Sequence, residues 1–311
     1  MAISNDRLAP PQRLARTLGS DPAAGEAEHR WLAELPERAR TALARRQLTP
    51  ERVQVPGGRT SMVILVRQAD GTPAALKLSP PSSGTTALEH AALAHWDGLG
   101  AVRVLDADPE EGALLLERLH ADVSLRSLAE PKAQLEAAAT LQRLWVPAPA
   151  GAPFPTVADH TGAAAAVLRE RREAPWAADA RALVDEALEA RDALVADRPA
   201  EAVLLHGEYH QGTVLSGERM PWLAVAPRPL AGERAYDLAW LVRDRLDTLL
   251  AAPGAGAAAR RRVAKLAESL EVDADRLRGW TLFRATEAGV RELAAGARRQ
   301  GELLLEFAGL L

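Results

Sequence analysis

The chain has 311 residues, 48% hydrophobic and 26% charged, with a formal net charge of −4; the length suits one large domain or two lobes, and the charge balance argues against nucleic acid as a partner. It contains no cysteine, which excludes disulfides, thiolate-held zinc and thiol catalysis. No run of about 18 apolar residues offers a membrane span, and the opening MAISNDRLAPPQRLARTLGS lacks the apolar core of a signal peptide, so a soluble, cytoplasmic protein without a membrane partner is expected.

In chain order, residues 22–47 read as a helix, because Trp31, Leu32, Leu35, Ala39 and Leu43 recur at helical spacing. Two β-type runs follow, Ser61–Arg67 and Ala74–Leu78, joined by ADGT, whose Asp70-Gly71 suits the positive φ of a tight hairpin. SPPSSGTT connects to a helix over 87–97, and AVRVLDADPEEGALLLERL gives another strand–turn–strand, Val102–Asp106 and Ala113–Glu117. Beyond Leu119 the pattern turns helical. Leu135, Ala138, Leu141, Leu144 and Trp145 define one face, VPAPAGAPFP is a connector, and Leu183, Ala187, Leu188 and Leu194 mark a helix over 179–196. Two short apolar runs are then split by a turn at Ser216–Pro221, and two helices, about 258–270 and 276–298, precede an apolar tail.

Three features carry chemistry. Lys77 closes an apolar strand in AALKLSP, where it either reaches nucleotide phosphates or points to water from a sheet edge. Glu89 in TTALEHAAL either orients that lysine or bonds back to the helix start as the last residue of a capping box. The third is LLHGEYHQGTVL. A phosphoryl-transferring loop of this shape reads His-Gly-Asp, four residues, then Asn, with a metal-holding Asp on the next strand just before a Pro. Here His206, Gly207, His210 and Pro227 keep their places, while Glu208, Thr213 and Ala226 stand where Asp, Asn and Asp would be.

With WLAELPERA, ADGTPAALKL, EHAALAHWDGLGAVRVLDAD, GALLLERL and WLAVAPRPLAGERAYDLAW in the same order, the chain resembles the bacterial aminoglycoside phosphotransferases, most nearly the streptomycin 6-phosphotransferase and hydroxyurea phosphotransferase group. The resemblance covers about residues 31–245 and implies an α+β, protein-kinase-like two-lobed fold. On that plan residues 1–48 form an N-terminal helical extension, 49–119 a small β-rich N-lobe and 120–311 a mostly helical C-lobe. It also implies roles by position. Lys77 binds phosphate and Glu89 is its helix partner. Glu117 and Leu119 lie in the adenine-facing hinge, and Asp237 braces the catalytic loop. Glu208 takes the base position, and His206 and His210 sit beside it. The glycine-rich cover over the phosphates is weak, since PGGRTSMV has only adjacent glycines.

Ala226 offers no donor and Thr213 a poor one, so ATP stands as the candidate cofactor while the metal positions give Mg²⁺ little support. Glu218 or Glu233 would have to swing in to replace the lost carboxylate, against the simpler reading that both lie on solvated turns. Glu287 and Glu292 share a plausible helix face, though a solvated face is the simpler reading. The leading expectation is a catalytically impaired, pseudokinase-like homologue that binds a nucleotide or small molecule in the inter-lobe or C-lobe cleft, with a protein partner left open. The alternatives are an active ATP-dependent phosphotransferase acting on a hydroxyl of an aminoglycoside-like molecule, and non-phosphoryl chemistry by Glu208, His206 or His210.

Overall fold

The computed structural model describes residues 8–20, 25–149, 151–197 and 202–311. In chain order the elements are α1 (Gln12–Ser20), α2 (Glu26–Arg45), β1 (Thr49–Val53), β2 (Met62–Arg67), β3 (Pro73–Leu78), α3 (Thr85–Trp96), β4 (Val104–Asp108), β5 (Ala113–Glu117) and β6 (His120–Ser124). Then follow α4 (Glu130–Leu144), α5 (Val157–Arg172), α6 (Arg181–Ala196), β7 (Val203–Leu205), β8 (Val214–Ser216), β9 (Leu223–Ala224), β10 (Leu230–Gly232) and α7 (Arg234–Val242). The chain ends with α8 (Leu246–Ala251), α9 (Ala255–Ser269), α10 (Ala274–Ala294) and α11 (Arg298–Ala308). They form two compact units: Met1–Ser124 with Leu215–Arg228, and Leu125–Val214 with Pro229–Leu311.

The first unit is built on an antiparallel sheet of order β1-β2-β3-β5-β4. The β2–β3 hairpin turns where the sequence predicts it: Gly71 takes φ 85° and Thr72 donates its N–H to Asp70 Oδ1 at 2.8 Å. Strand alternation then sorts the side chains. Ile64, Val66, Leu76, Leu78 and Leu115 share a buried cluster with Leu14 and Leu18 of α1 and Trp31, Leu35, Ala39 and Leu43 of α2. The N-terminal helices therefore cover one sheet face. Lys77, in register with Val63 and Leu114, belongs to the other. The predicted helix over 22–47 is α2; its expected start at 22–24 lies outside the described residues. A small sheet of order β6-β8-β9 and an Ala101–Ala224 bridge tie Leu215–Arg228 into this unit.

The second unit gathers around α10, which buries Leu277, Trp280, Phe283, Ala285, Ala288 and Val290 and packs against α5, α6, α7, α9 and α11. The apolar tail is α11. Its approach to α10 depends on paired glycines: a Cβ on Gly301 would lie 2.8 Å from the Gly289 carbonyl, and one on Gly289 2.8 Å from Leu305 Cγ. β7 and β10 pair antiparallel, Leu205 with Leu230 and Val203 with Gly232.

Several elements depart from the sequence reading. α5, β1 and β6 were not legible as elements. The face drawn through α4 includes Leu135, which is 69% exposed, while Ala133, Ala137, Thr140, Leu141 and Leu144 are buried. On α6 the buried residues are Val184, Ala187 and Leu188, with Leu183 and Leu194 only half-buried. Among the described residues no helix is long and apolar enough to cross a membrane.

Candidate active site

Lys77 sits on β3, the third of five strands, so it is not an edge lysine. Its Nζ meets Glu89 Oε2 of α3 at 2.5 Å, and the two side chains are only 11% and 5% exposed. Burial explains the pairing, since an isolated ammonium or carboxylate here would be desolvated without compensation. The capping-box alternative for Glu89 is overturned: α3 starts at Thr85 after Gly84, with no side-chain cap. Glu89 Oε1 and Thr86 Oγ1 are buried without a partner among the described residues. Glu117, at the end of β5, has its carboxylate committed to Arg219, with Oε1 2.7 Å from Nη2, and to the Arg103 N–H at 2.8 Å. Leu119, two residues on, is buried. Of the PGGRTSMV stretch, residues 56–61 lie in the loop joining β1 to β2, and Met62 and Val63 begin β2.

In the second unit, the segment after β7 is held from several sides. Asp237 of α7 is fully buried and accepts the backbone N–H groups of His206 and Gly207, each at 2.8 Å. Burial pushes its carboxyl pKa up, and those two donors and Arg284 pull it back. Asp244 accepts the Gln211 N–H at 2.5 Å and the Arg245 N–H at 3.0 Å. Arg245 reaches Gln211 Oε1 at 2.7 Å and the Leu128 carbonyl at 2.8 Å. Arg284 donates to the Gly207 carbonyl at 2.6 Å. The buried Tyr209 hydroxyl donates to the Ala137 carbonyl at 2.7 Å, and burial raises its pKa well above the ordinary phenol value. His206 is buried edge-to-face against Tyr209, with centroids 5.4 Å apart.

His210 and Thr213 cap the short 3₁₀ turn Gln211–Thr213 reciprocally. His210 Nδ1 accepts the Gly212 N–H at 3.0 Å, and Thr213 Oγ1 accepts the His210 N–H at 3.1 Å. The imidazole lies against Trp240 at 5.7 Å. Burial drives its pKa down to about 4, against the pull of Asp244, so it is neutral at ordinary pH. Asp244, Arg245, Arg284 and Tyr209 escaped the sequence reading as loop supports. Asp237 was anticipated, through the resemblance.

Residues 46–296 match the family model "Aminoglycoside/hydroxyurea antibiotic resistance kinase". The streptomycin 6-kinase of Streptomyces glaucescens is 35% identical over 279 residues, covering 88% of each chain. The hydroxyurea phosphotransferase of Kitasatospora aureofaciens is 39% identical over 244 residues, 77% of this chain and 68% of that one. The chain belongs to this kinase family. The fold agrees: a thermostable mutant of the aminoglycoside phosphotransferase APH(4)-Ia, solved with ADP and hygromycin B, superposes with a TM-score of 0.62 at 16% identity, over 87% of this chain and 96% of that one.

Within the kinase family's pattern, the positions that would meet a metal can be tested against what stands there. Besides accepting the His210 N–H, Thr213 Oγ1 donates to the His210 carbonyl at 2.9 Å, so the hydroxyl is committed to the turn. Ala226 has a methyl group and no donor. It also takes φ 55°, a left-handed conformation that Asn and Asp enter more readily than Ala. Of the two carboxylates weighed as substitutes, Glu233 is committed elsewhere, while Glu218 lies between β8 and β9 with its side chain 86% exposed, as a solvated turn would have it. Glu233 is not on a solvated turn; it is buried, with both oxygens on Arg276 at 2.6 Å and Oε1 2.7 Å from the Trp280 indole nitrogen. Glu218 lies 3.0 Å from His120 Nε2. Glu287 pairs with Arg291, four residues on along α10, at 2.6 Å. Among the described residues no group of three or more His, Asp and Glu side chains is arranged to hold a metal ion. The side chains at Thr213 and Ala226 therefore do not fit a Mg²⁺ site of the kind the resemblance implies.

Proposed function

We propose that the chain is a nucleotide-binding member of the aminoglycoside/hydroxyurea kinase family in which phosphoryl transfer is impaired. One observation carries the reading: Ala226, at the metal-Asp position, offers a methyl group in a left-handed backbone. Charge neutralisation on the phosphates is most of what such enzymes contribute. With Thr213 committed to its turn, Glu208 is the remaining carboxylate of the three chemical positions, one methylene longer than the usual Asp. A misplacement of about 1 Å costs on the order of 10²-fold in rate.

ATP is the ligand, with the Lys77 ammonium as its phosphate contact and Glu89 holding that lysine in place. The pair favours nucleotide binding because a buried, preformed cation needs no reorganisation to meet a phosphate. Chemistry by His210 is disfavoured: its Nδ1 is taken by Gly212, and the ring stays neutral down to about pH 4, a poor general base. The intact Lys77–Glu89 pair also fits a slow but active phosphotransferase, and the test separates the two.

Release of labelled γ-phosphate from ATP, whether to water or to an added acceptor, would be followed for the native chain and for the double variant Thr213→Asn, Ala226→Asp. The proposal expects no product above background from the native chain and Mg²⁺-dependent product from the double variant. Mg²⁺-dependent turnover by the native chain, lost in Glu208→Gln, would overturn it.

A further inference from the structure

The side of α7 and α10 next to Glu208 is rich in hydrogen-bond donors. Arg243, at the end of α7, stacks its guanidinium 3.5 Å from the centre of the Trp240 ring. Arg284 of α10 lies 4.1 Å from the Tyr236 ring and 5.1 Å from that of Trp240. Two of its N–H groups go to the Tyr236 and Gly207 carbonyls, at 2.8 and 2.6 Å. Arg291 gives Nη1 to both oxygens of Glu287.

Arg243 differs from its neighbours. Among the described residues it has no ion-pair partner, and its hydrogen bond is a single long one to the Arg284 carbonyl at 3.3 Å. The Trp240 indole N–H is buried with no acceptor among the described residues. Burial, together with Arg284 and Arg291, pushes the Arg243 pKa down to about 9, more than Glu287 and Glu208 restore. A guanidinium with its planar fork unspent, held flat on an indole, matches a carboxylate or phosphate in geometry and charge. It opposes a polycation.

We propose that Arg243 and Trp240, backed by Arg284 and Arg291, form a subsite for an oxyanion-bearing small molecule, and that the acceptor or ligand of this chain is an anion rather than a polycationic aminoglycoside. The inference rests on the reading of the chain as a small-molecule-binding kinase homologue and names the chemical class of its second ligand.

Titration calorimetry without nucleotide would use gluconate as the carboxylate probe, glucose 6-phosphate as the phosphate probe and streptomycin as the polycation. At least one anion should bind the native chain more tightly than streptomycin does, and which one binds separates the two oxyanions. Arg243→Gln should weaken that anion at least tenfold, and Arg243→Lys, which keeps charge but not the fork, by less. Matching melting curves would establish that the variants fold. Streptomycin binding more tightly than both anions, neither anion binding, or anion affinity unchanged in both variants would each refute the subsite. ATP titrated into the same native sample reports separately on the nucleotide reading, so either can fail alone.

Discussion

The Lys77–Glu89 pair and the loop carrying Glu208 both belong to the proposed site, yet the sequence treats them differently. In the first, the chemical groups are also the structural ones: an ammonium and a carboxylate buried together, each needing the other. In the second, shape and chemistry belong to different residues. Asp237, Asp244, Arg245 and Arg284 hold the loop through main-chain or neighbouring side-chain atoms. None of these bonds requires an Asp at position 208 or 226, or an Asn at 213. A loop held from beneath keeps its form after its working side chains change, whereas a buried ion pair cannot lose one member cheaply.

The sharpest way to break this comparison is to remove one member of the pair. Glu89→Ala should cost about 3–5 kcal/mol, the usual penalty for leaving a buried charge alone. Glu208→Gln should cost clearly less, because the Glu208 side chain is only half-buried and the change keeps its shape. Denaturant titration of both variants decides it, and equal losses would erase the distinction.

A smaller loss is expected under the loop. Asp237→Asn keeps one carbonyl acceptor for two buried N–H donors, so about 1–3 kcal/mol should go. Faster amide exchange at His206 and Gly207 would locate the loss. A change at Glu208 should leave those amides protected.

The cap sharpens the comparison through pH. The His210 pKa in the folded chain, about 4, lies below its ordinary 6.5, so the unfolded chain binds the extra proton. Its contribution is therefore complete above about pH 6.5 and lost as pH falls toward 4. His210→Asn, which retains an acceptor for the Gly212 N–H, should flatten that part of the stability–pH curve. An unchanged slope would show that His210 is not the group responsible.

The smallest effect concerns Ala226. A left-handed Ala is strained by roughly 1–2 kcal/mol, and Gly loses part of that gain to its own entropy. Ala226→Gly should therefore raise stability by up to about 1 kcal/mol. Ala226→Asp should fold without loss, and a clear drop in its melting temperature would show that the backbone there no longer suits an Asp.

Much of the fold was legible because its signals are local. The Asp70-Gly71 turn, the apolar runs of β2, β3 and β5 and the leucine spacing of α2 each state their structure within a few residues. β1 and β6 were missed because TPERV and HADVS bury little and show no apolar alternation. α5 hides its buried face behind Val157, Thr161, Ala165 and Leu168, amid a run of alanines that gives little contrast. Leu135 misled because hydrophobicity alone does not say which side of a helix faces the core.

At the site, Lys77 and Glu89 could be singled out from residue type and spacing, but sequence left their pairing as one of two readings, because it is a contact between residues twelve apart. Glu233 read as a carboxylate on a solvated turn because its partners, Arg276 and Trp280, lie more than forty residues on. Arg243 and Arg284 drew no reading from the sequence. Nothing in one dimension shows that they meet over Trp240.

The central claim, that the nucleotide-binding half of the chemistry survives without its metal, is tested most directly by titrating ATP into the native chain with and without Mg²⁺. The account predicts binding that depends on Lys77 and is indifferent to Mg²⁺. Tight binding that requires Mg²⁺ would mean that another group has replaced the missing Asp, and would contradict it.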